Sequence, residues 1–230
     1  MSQASLLKDH ILKYPEKFGK VVDFDAAKDR LVTFDFTAKN SRLTAETIAD
    51  TTLFSTWINE QLEVSGARYG VGGYNEHRTL YARSSHFDTL EEARRLHLGV
   101  DIWGSAGTSV YCPMHGKVHS FQFNDHFGDY GATIILEHQF GGLLLHSLYG
   151  HLSLASLAGL EEGQFIAKGD KLAEFGIAEE NGHWPPHLHF QLIFDMQGMK
   201  GDYPGVCCYS QRESYLRNCP DPNDILAFTF

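Results

Sequence analysis

From about residue 66 onward the chain is cut into short apolar runs by Gly, Asn and Asp, at 108–112, 116–123, 132–138, 142–149, 171–175 and 187–194. No other feature narrows the fold as far. Runs this short cannot supply long helices, and regular short strands with turn signals between them predict an antiparallel β-sheet domain. Gly141-Gly142 between two runs is a hairpin signal. Sixteen Phe and ten Tyr suit a β-dominated core. The expected class is mainly β (α+β): an antiparallel sandwich or barrel-like sheet with an N-terminal helical appendage.

The first 66 residues differ in character. Leu7, Ile11 and Tyr14 recur at helical spacing and Pro15 stops them, which predicts a helix over 2–14. Val32, Phe34 and Phe36 alternate with Thr33, Asp35 and Thr37, which predicts a half-buried strand over 30–37. Phe54, Trp57, Ile58 and Leu62 share one face of a helix over 45–62, broken at Ser65-Gly66. No flexible linker follows, so residues 1–66 are expected to pack on a β domain spanning 67–230. The tail from 201 is rich in Pro and Gly, with a helical candidate at 224–228.

Charge removes several classes of partner. A formal net charge of −10 leaves no excess of Lys or Arg to neutralise phosphates, which excludes nucleic acid as the main partner and disfavours an anionic membrane. No stretch is apolar for long enough to span a bilayer. The first residues lack a basic region followed by an apolar run, so the expectation is a cytoplasmic protein with no signal peptide. Cys112, Cys207, Cys208 and Cys219 form no Cys-x-x-Cys pair, and are read as reduced, buried thiols. A bridge from Cys207 or Cys208 to Cys219 is the alternative.

The chemistry lies in His97-Leu-Gly-Val-Asp101, Tyr149-Gly-His151-Leu152 and Pro186-His187-Leu-His189-Phe190. Histidine and aspartate bind zinc and move protons. His187 and His189 are two apart, so on a strand both rings share a face. Gly99, Val100 and Ile102 argue against a helix through His97 and Asp101 and favour a bent loop entering a strand, with Gly99 supplying the bend. By spacing alone either His187 or His189 could hold metal. One of them with His97 and Asp101 gives three ligands and leaves a fourth position open, the pattern of a catalytic zinc site.

This constellation resembles the lysostaphin-type (LytM-like) zinc metallopeptidases, the peptidoglycan endopeptidase family. The family's H-x(n)-D falls on His97 and Asp101, its lone histidine in a Y-x-H-L context on His151, and its H-x-H on His187 and His189. The resemblance extends to Gly107-Thr108-Ser-Val-Tyr-Cys-Pro-Met-His-Gly116 and to Gly163-Gln164-Phe-Ile-Ala-Lys168-Gly169, and runs from about residue 94 to 194. It implies one zinc per chain held by His97, Asp101 and His189. It also implies His151 and His187 as catalytic residues, dividing between them acid–base work and oxyanion stabilisation. The implied substrate is a peptide or amide, including cell-wall peptide. Gln191 stands where many members carry Glu after H-x-H-F, which is expected to act on the ligand behind the metal.

The stretch 68–81 is dense in Arg, Tyr and Glu among glycines. It is read either as a Gly-rich loop and edge strand or as a cleft wall in which Arg68, Tyr74, Glu76 and Arg78 read substrate charge, with His183 as a further contact. With 201–206, 210–212 and 219–223 it resembles a branch of the family whose peptidase-like module can be joined to a class III aminotransferase. That branch implies a small-molecule amide hydrolase. The other alternative is a non-hydrolytic binding or regulatory module, against which all five key residues are present. A cupin-like oxygenase would need a carboxylate shortly after the second His, and Gln191-Leu-Ile-Phe194 offers none.

Overall fold

The computed structural model describes residues 2–88, 91–226 and 228. In chain order its elements are α1 (Gln3–Lys13), β1 (Leu31–Phe34), α2 (Ala45–Ala49), α3 (Thr51–Ser65), β2 (Tyr69–Gly72), β3 (Leu96–His97), β4 (Val100–Trp103), β5 (Ser109–Tyr111) and β6 (Gly116–Asn124). There follow β7 (Gly131–Phe140), β8 (Leu143–Leu152), β9 (Phe165–Ile166), β10 (Lys171–Glu174), β11 (His187–Ile193), β12 (Val206–Cys207), α4 (Arg212–Asn218) and α5 (Asn223–Leu226).

Local chemistry sets the helix ends. Ser2 caps α1, its hydroxyl accepting from Ser5 N–H, and Pro15 opens a 3₁₀ turn after it. The single helix expected over 45–62 is two. Asp50 has extended backbone, and its carboxylate accepts from Thr52 and Leu53 N–H, ending α2 and capping α3. Gly66 closes α3 with φ 61°, the left-handed conformation glycine adopts freely. The tail helix ends at Leu226, and residue 227 of the expected 224–228 helix lies outside the described residues.

Eight strands form one open sheet in the order β1-β2-β4-β11-β8-β7-β6-β9, so it is not closed into a barrel. Every pair is antiparallel except β1 with β2. That exception follows from the connection: α2 and α3 lie between the two strands, and a helical crossover returns the chain in the same direction. The first segment therefore extends the sheet itself through β1. The Gly141-Gly142 hairpin forms with φ 59° and 80°, the pair of positive values that a tight hairpin turn requires. Two further pairs, β10·β5 and β12·β3, complete the strands.

The sheet is covered on both faces, and β11 is buried along its whole length. Leu188, Phe190 and Leu192 of β11 join Val100, Ile102, Ile134, Leu136 and Leu145 in the main core. The alternate β11 positions 187, 189 and 191 are polar and project the other way. Phe34, Phe36, Phe54, Ile58, Trp103 and Trp184 form a second, aromatic core between the N-terminal helices and the sheet. All four cysteines are buried and free, so no bridge to Cys219 forms. Among the described residues no helix is long and apolar enough to cross a membrane.

Candidate metal centre and active site

Register builds the site. On β11, His189 sits opposite Asp101 of β4 on one side and Gly150 of β8 on the other, and His187 sits opposite Trp103. Asp101 in turn faces Gly72 of β2. His97 arrives from β3, one tight turn before β4. His97 Nε2, His189 Nδ1 and Asp101 Oδ1 form a triangle with sides of 2.9, 3.0 and 3.2 Å. All three residues are buried, and among the described residues this is the group of His, Cys, Asp and Glu side chains close enough to share an ion.

The outer hydrogen bonds decide what the triangle can hold. His97 Nδ1 lies 2.9 Å from Gly73 O, a pure acceptor, so the proton belongs on Nδ1 and the Nε2 lone pair faces inward. Gln191 is oriented by its Nε2 donating to Pro204 O at 3.2 Å, which leaves its Oε1 to accept from His189 Nε2–H at 2.9 Å. The His189 Nδ1 lone pair therefore also faces inward. Two imidazole lone pairs and a carboxylate oxygen converging with no proton between them repel one another unless a cation sits among them. A tetrahedral zinc with bonds of roughly 2.0–2.1 Å places its ligands about 3.3 Å apart, close to the sides found here. The donor set therefore fits zinc.

Gly99 has a different role from the one expected. Its φ is not positive, so no special bend is required of it. A Cβ there would lie 2.6 Å from both Cε1 and Nε2 of His189 and 2.8 Å from Phe190 O. The glycine is there for the close approach of the ligand ring. Gly99→Ala is expected to displace that ring and weaken zinc binding about 10–100-fold, as loss of ligand support typically does. Chelator competition measures this, and wild-type affinity in the variant would show that the ring can yield.

His151 reaches the cleft through a β-bulge. Ala132 pairs with Leu152 and Ile134 with Tyr149, so Thr133 faces two residues, Gly150 and His151. His151 has φ 62°, a left-handed conformation rare outside glycine. Its Nδ1–H donates to Asn181 O at 2.8 Å, and that of His187 to Pro185 O at 2.8 Å. Each therefore keeps its Nε2 lone pair free. The two rings stack at 4.0 Å, and His187 stacks in turn on Trp103 at 3.8 Å and 12°.

Burial and the neighbouring His187 hold the His151 pKa well below its usual value, and burial takes that of His187 down to about 4. Both are neutral near pH 7. Burial, then Arg78, pushes His97 down to about 3. Burial alone would raise the Asp101 pKa, but His97 and Arg78 outweigh it and hold the carboxylate ionised. All five of these residues except His97 line one cleft, together with Tyr81, Phe87, Tyr130 and Trp184.

The charge-reading wall is not assembled as expected. Arg68 lies away from the cleft and pairs with Asp29 and Asp23 on the surface. Tyr74 donates its hydroxyl to Cys219 O and is not among the residues that line the cleft. Arg78 is fully buried and committed to the protein: it donates to Asp101 Oδ2, to Glu76 Oε2 at 2.7 Å, to Tyr81 OH at 3.1 Å and to Gly73 O at 3.2 Å. Glu76 is used in holding Arg78. His183 is exposed, its ring stacked on Phe127 at 5.6 Å, and its carbonyl accepts from Thr51 and Arg83. The guanidinium of Arg78 thus holds Asp101, one corner of the triangle. Trp103 and Tyr130 escaped the sequence reading. Trp103 had a signal, since it stands two residues after Asp101 on a strand and so shares its face.

The model of peptidase family M23 matches residues 95–200. No curated protein matches the chain. Among solved structures, a zinc-containing peptidase from Vibrio cholerae is 28% identical, with 43% of this chain and 27% of that one covered and a TM-score of 0.34. A Pseudomonas aeruginosa protein carrying the peptidase M23 name is 22% identical over 58% and 45% of the two chains, with a TM-score of 0.37. The catalytic domain of lysostaphin from Staphylococcus simulans is 21% identical over 70% and 96%, with a TM-score of 0.41. The chain thus spans less than half the length of the first two. With every TM-score below 0.5, the assignment rests on the matched segment and the residues it contains. Residues 95–200, the segment that matches the model of peptidase family M23, include His97, Asp101, His151, His187 and His189.

Proposed function

We propose that the chain is a zinc-dependent hydrolase of peptide or amide bonds, with one zinc held by His97, Asp101 and His189. The observation that carries this reading is the conjunction of two things in one cleft: a buried triangle of three inward lone pairs, and two neutral histidines whose Nε2 atoms remain free. Bound zinc supplies Lewis acidity and lets water ionise near neutral pH. The protein does the rest. The substrate carbonyl lies between the triangle and the His151–His187 pair. One Nε2 takes the proton of the attacking water and returns it to the leaving amine. The Nε2–H so formed donates to the oxyanion of the tetrahedral intermediate until its proton passes to the amine, and the other imidazole stacks against it. The main-chain bonds from both Nδ1 atoms fix these tautomers. Arg78 keeps Asp101 aligned, and Gln191 keeps His189 aligned.

The test has two parts. Elemental analysis of the purified chain is expected to find zinc at one equivalent. Hydrolysis assays on cell-wall stem peptides, glycine-rich bridge peptides and small N-acyl amines are expected to find activity that a chelator removes and added zinc restores. A chain with no metal, or a zinc-loaded chain inert on every amide class, overturns the reading.

A further inference from the structure

Phe36 comes from the N-terminal segment, outside the matched residues 95–200, yet it touches both halves of the site. Its ring is fully buried and lies 5.4 Å from that of Trp103, the residue stacked flat on His187. The Arg78 guanidinium sits over the same ring at 5.1 Å, and Arg78 is the partner of Asp101. The backbone is fixed as well: Phe36 N–H donates to Glu76 Oε1 at 3.3 Å, and Phe36 O accepts from Thr79 N–H at 3.1 Å. Gly72, opposite Asp101, leaves room for this, because a Cβ there would lie 2.6 Å from Arg78 Nη2 and 3.0 Å from the Phe36 ring.

We propose that Phe36 is a positioning residue for the hydrolytic site, and that the N-terminal segment completes that site by fixing the Arg78–Asp101 pair on the metal side and the Trp103–His187 stack on the acid–base side. This rests on the reading of the site given above. The physical reason is close packing. A core at crystal-like density transmits displacement rather than absorbing it, and a working constellation tolerates only about 0.5 Å of error. A guanidinium over an aromatic face also gains a cation–π attraction that an aliphatic residue cannot supply.

The experiment uses the full chain and three leucine substitutions that differ in what each ring touches. Phe36 meets both Trp103 and Arg78. Phe54 meets Trp103 at 5.7 Å and Phe36 at 6.1 Å, Phe34 meets Phe36 and Trp57, and of the three rings the Arg78 guanidinium lies over that of Phe36. Two readouts need no substrate. One is zinc affinity by chelator competition. The other is the position of the His187 ring-proton resonances, assigned by their loss in His187→Gln and shifted in the wild type by the indole face. Phe36→Leu should weaken zinc binding about tenfold or more and move the His187 resonances away from their wild-type positions. Phe54→Leu should move the resonances and leave zinc affinity unchanged. Phe34→Leu should do neither.

With a substrate in hand, Phe36→Leu should lower kcat about tenfold or more at a KM within about twofold, and Phe36→Met, closer in volume, should recover part of it. If Phe36→Leu does not fold, Phe36→Met and Phe54→Leu carry the comparison. Identical behaviour of the Phe36 and Phe34 variants overturns the proposal. A wild type that binds no zinc instead overturns the hydrolase reading, while the His187 resonances still report whether Phe36 holds the stack.

Discussion

His189→Ala is expected to lose the metal: after dialysis its zinc content falls from one equivalent toward zero, while the wild type keeps its ion. The effect should be large because the proposed site has three protein ligands, and the other two cannot close around the gap. His97 is pinned through Gly73 O and Asp101 through Arg78, so neither can swing to replace the lost nitrogen. Gln191 Oε1 loses its donor in the same step. A folded His189→Ala protein that still carries stoichiometric zinc would remove His189 from the metal and reopen the question of which member of the His187/His189 pair is the ligand.

The second large effect concerns turnover with the metal in place. His151→Ala and His187→Ala should each keep zinc and lower kcat by about 10²–10⁴, the usual contribution of a general acid or base. Both side chains stop short of the triangle, and both are anchored by Nδ1–H bonds to main-chain oxygens rather than by an ion. The double variant should lose little more than the worse single one, because residues that act as a unit are not additive. The pH profile carries a sign. Burial depresses both pKa values, so the neutral, proton-accepting forms persist into mildly acidic solution. The acid limb of kcat/KM should therefore fall below pH 6.5. Loss of zinc from either variant would move that residue into the metal's own ligand set.

What the sequence made legible was periodic. The two-residue spacing of His187 and His189 placed both rings on one face before any coordinates. The strand runs after residue 100 fell close to β5, β6, β7, β8, β10 and β11. What stayed hidden was either a single capping residue or a long-range pairing. Asp50 ends one helix and begins another through two local bonds, which a hydrophobic stripe spanning both cannot report. The parallel pairing of β1 with β2 depends on where a helical crossover delivers the chain. Arg68 and Arg78 look alike in sequence, yet one reaches surface carboxylates and the other is buried against Asp101. Only the partners supplied by residues 23, 29, 76 and 101 separate them. Gly99 was read as supplying a bend, but what calls for glycine there is a ring ninety residues away rather than its own torsion angles.

The left-handed backbone at His151 makes that position a point of conflict between durability and turnover. A non-glycine residue held at φ 62° costs on the order of 1–2 kcal/mol, which the surrounding bulge and the bond to Asn181 O must offset. Glycine would sit there without that cost, and asparagine with less of it than alanine or any branched residue. A lineage or a library screened for thermal resistance alone would drift toward glycine at 151, and each such step would remove an imidazole from the cleft. If His151 acts as proposed, histidine at that torsion angle is kept by selection for hydrolysis, and its replacement in a stabilised descendant would mark a chain that has kept the scaffold and given up the reaction.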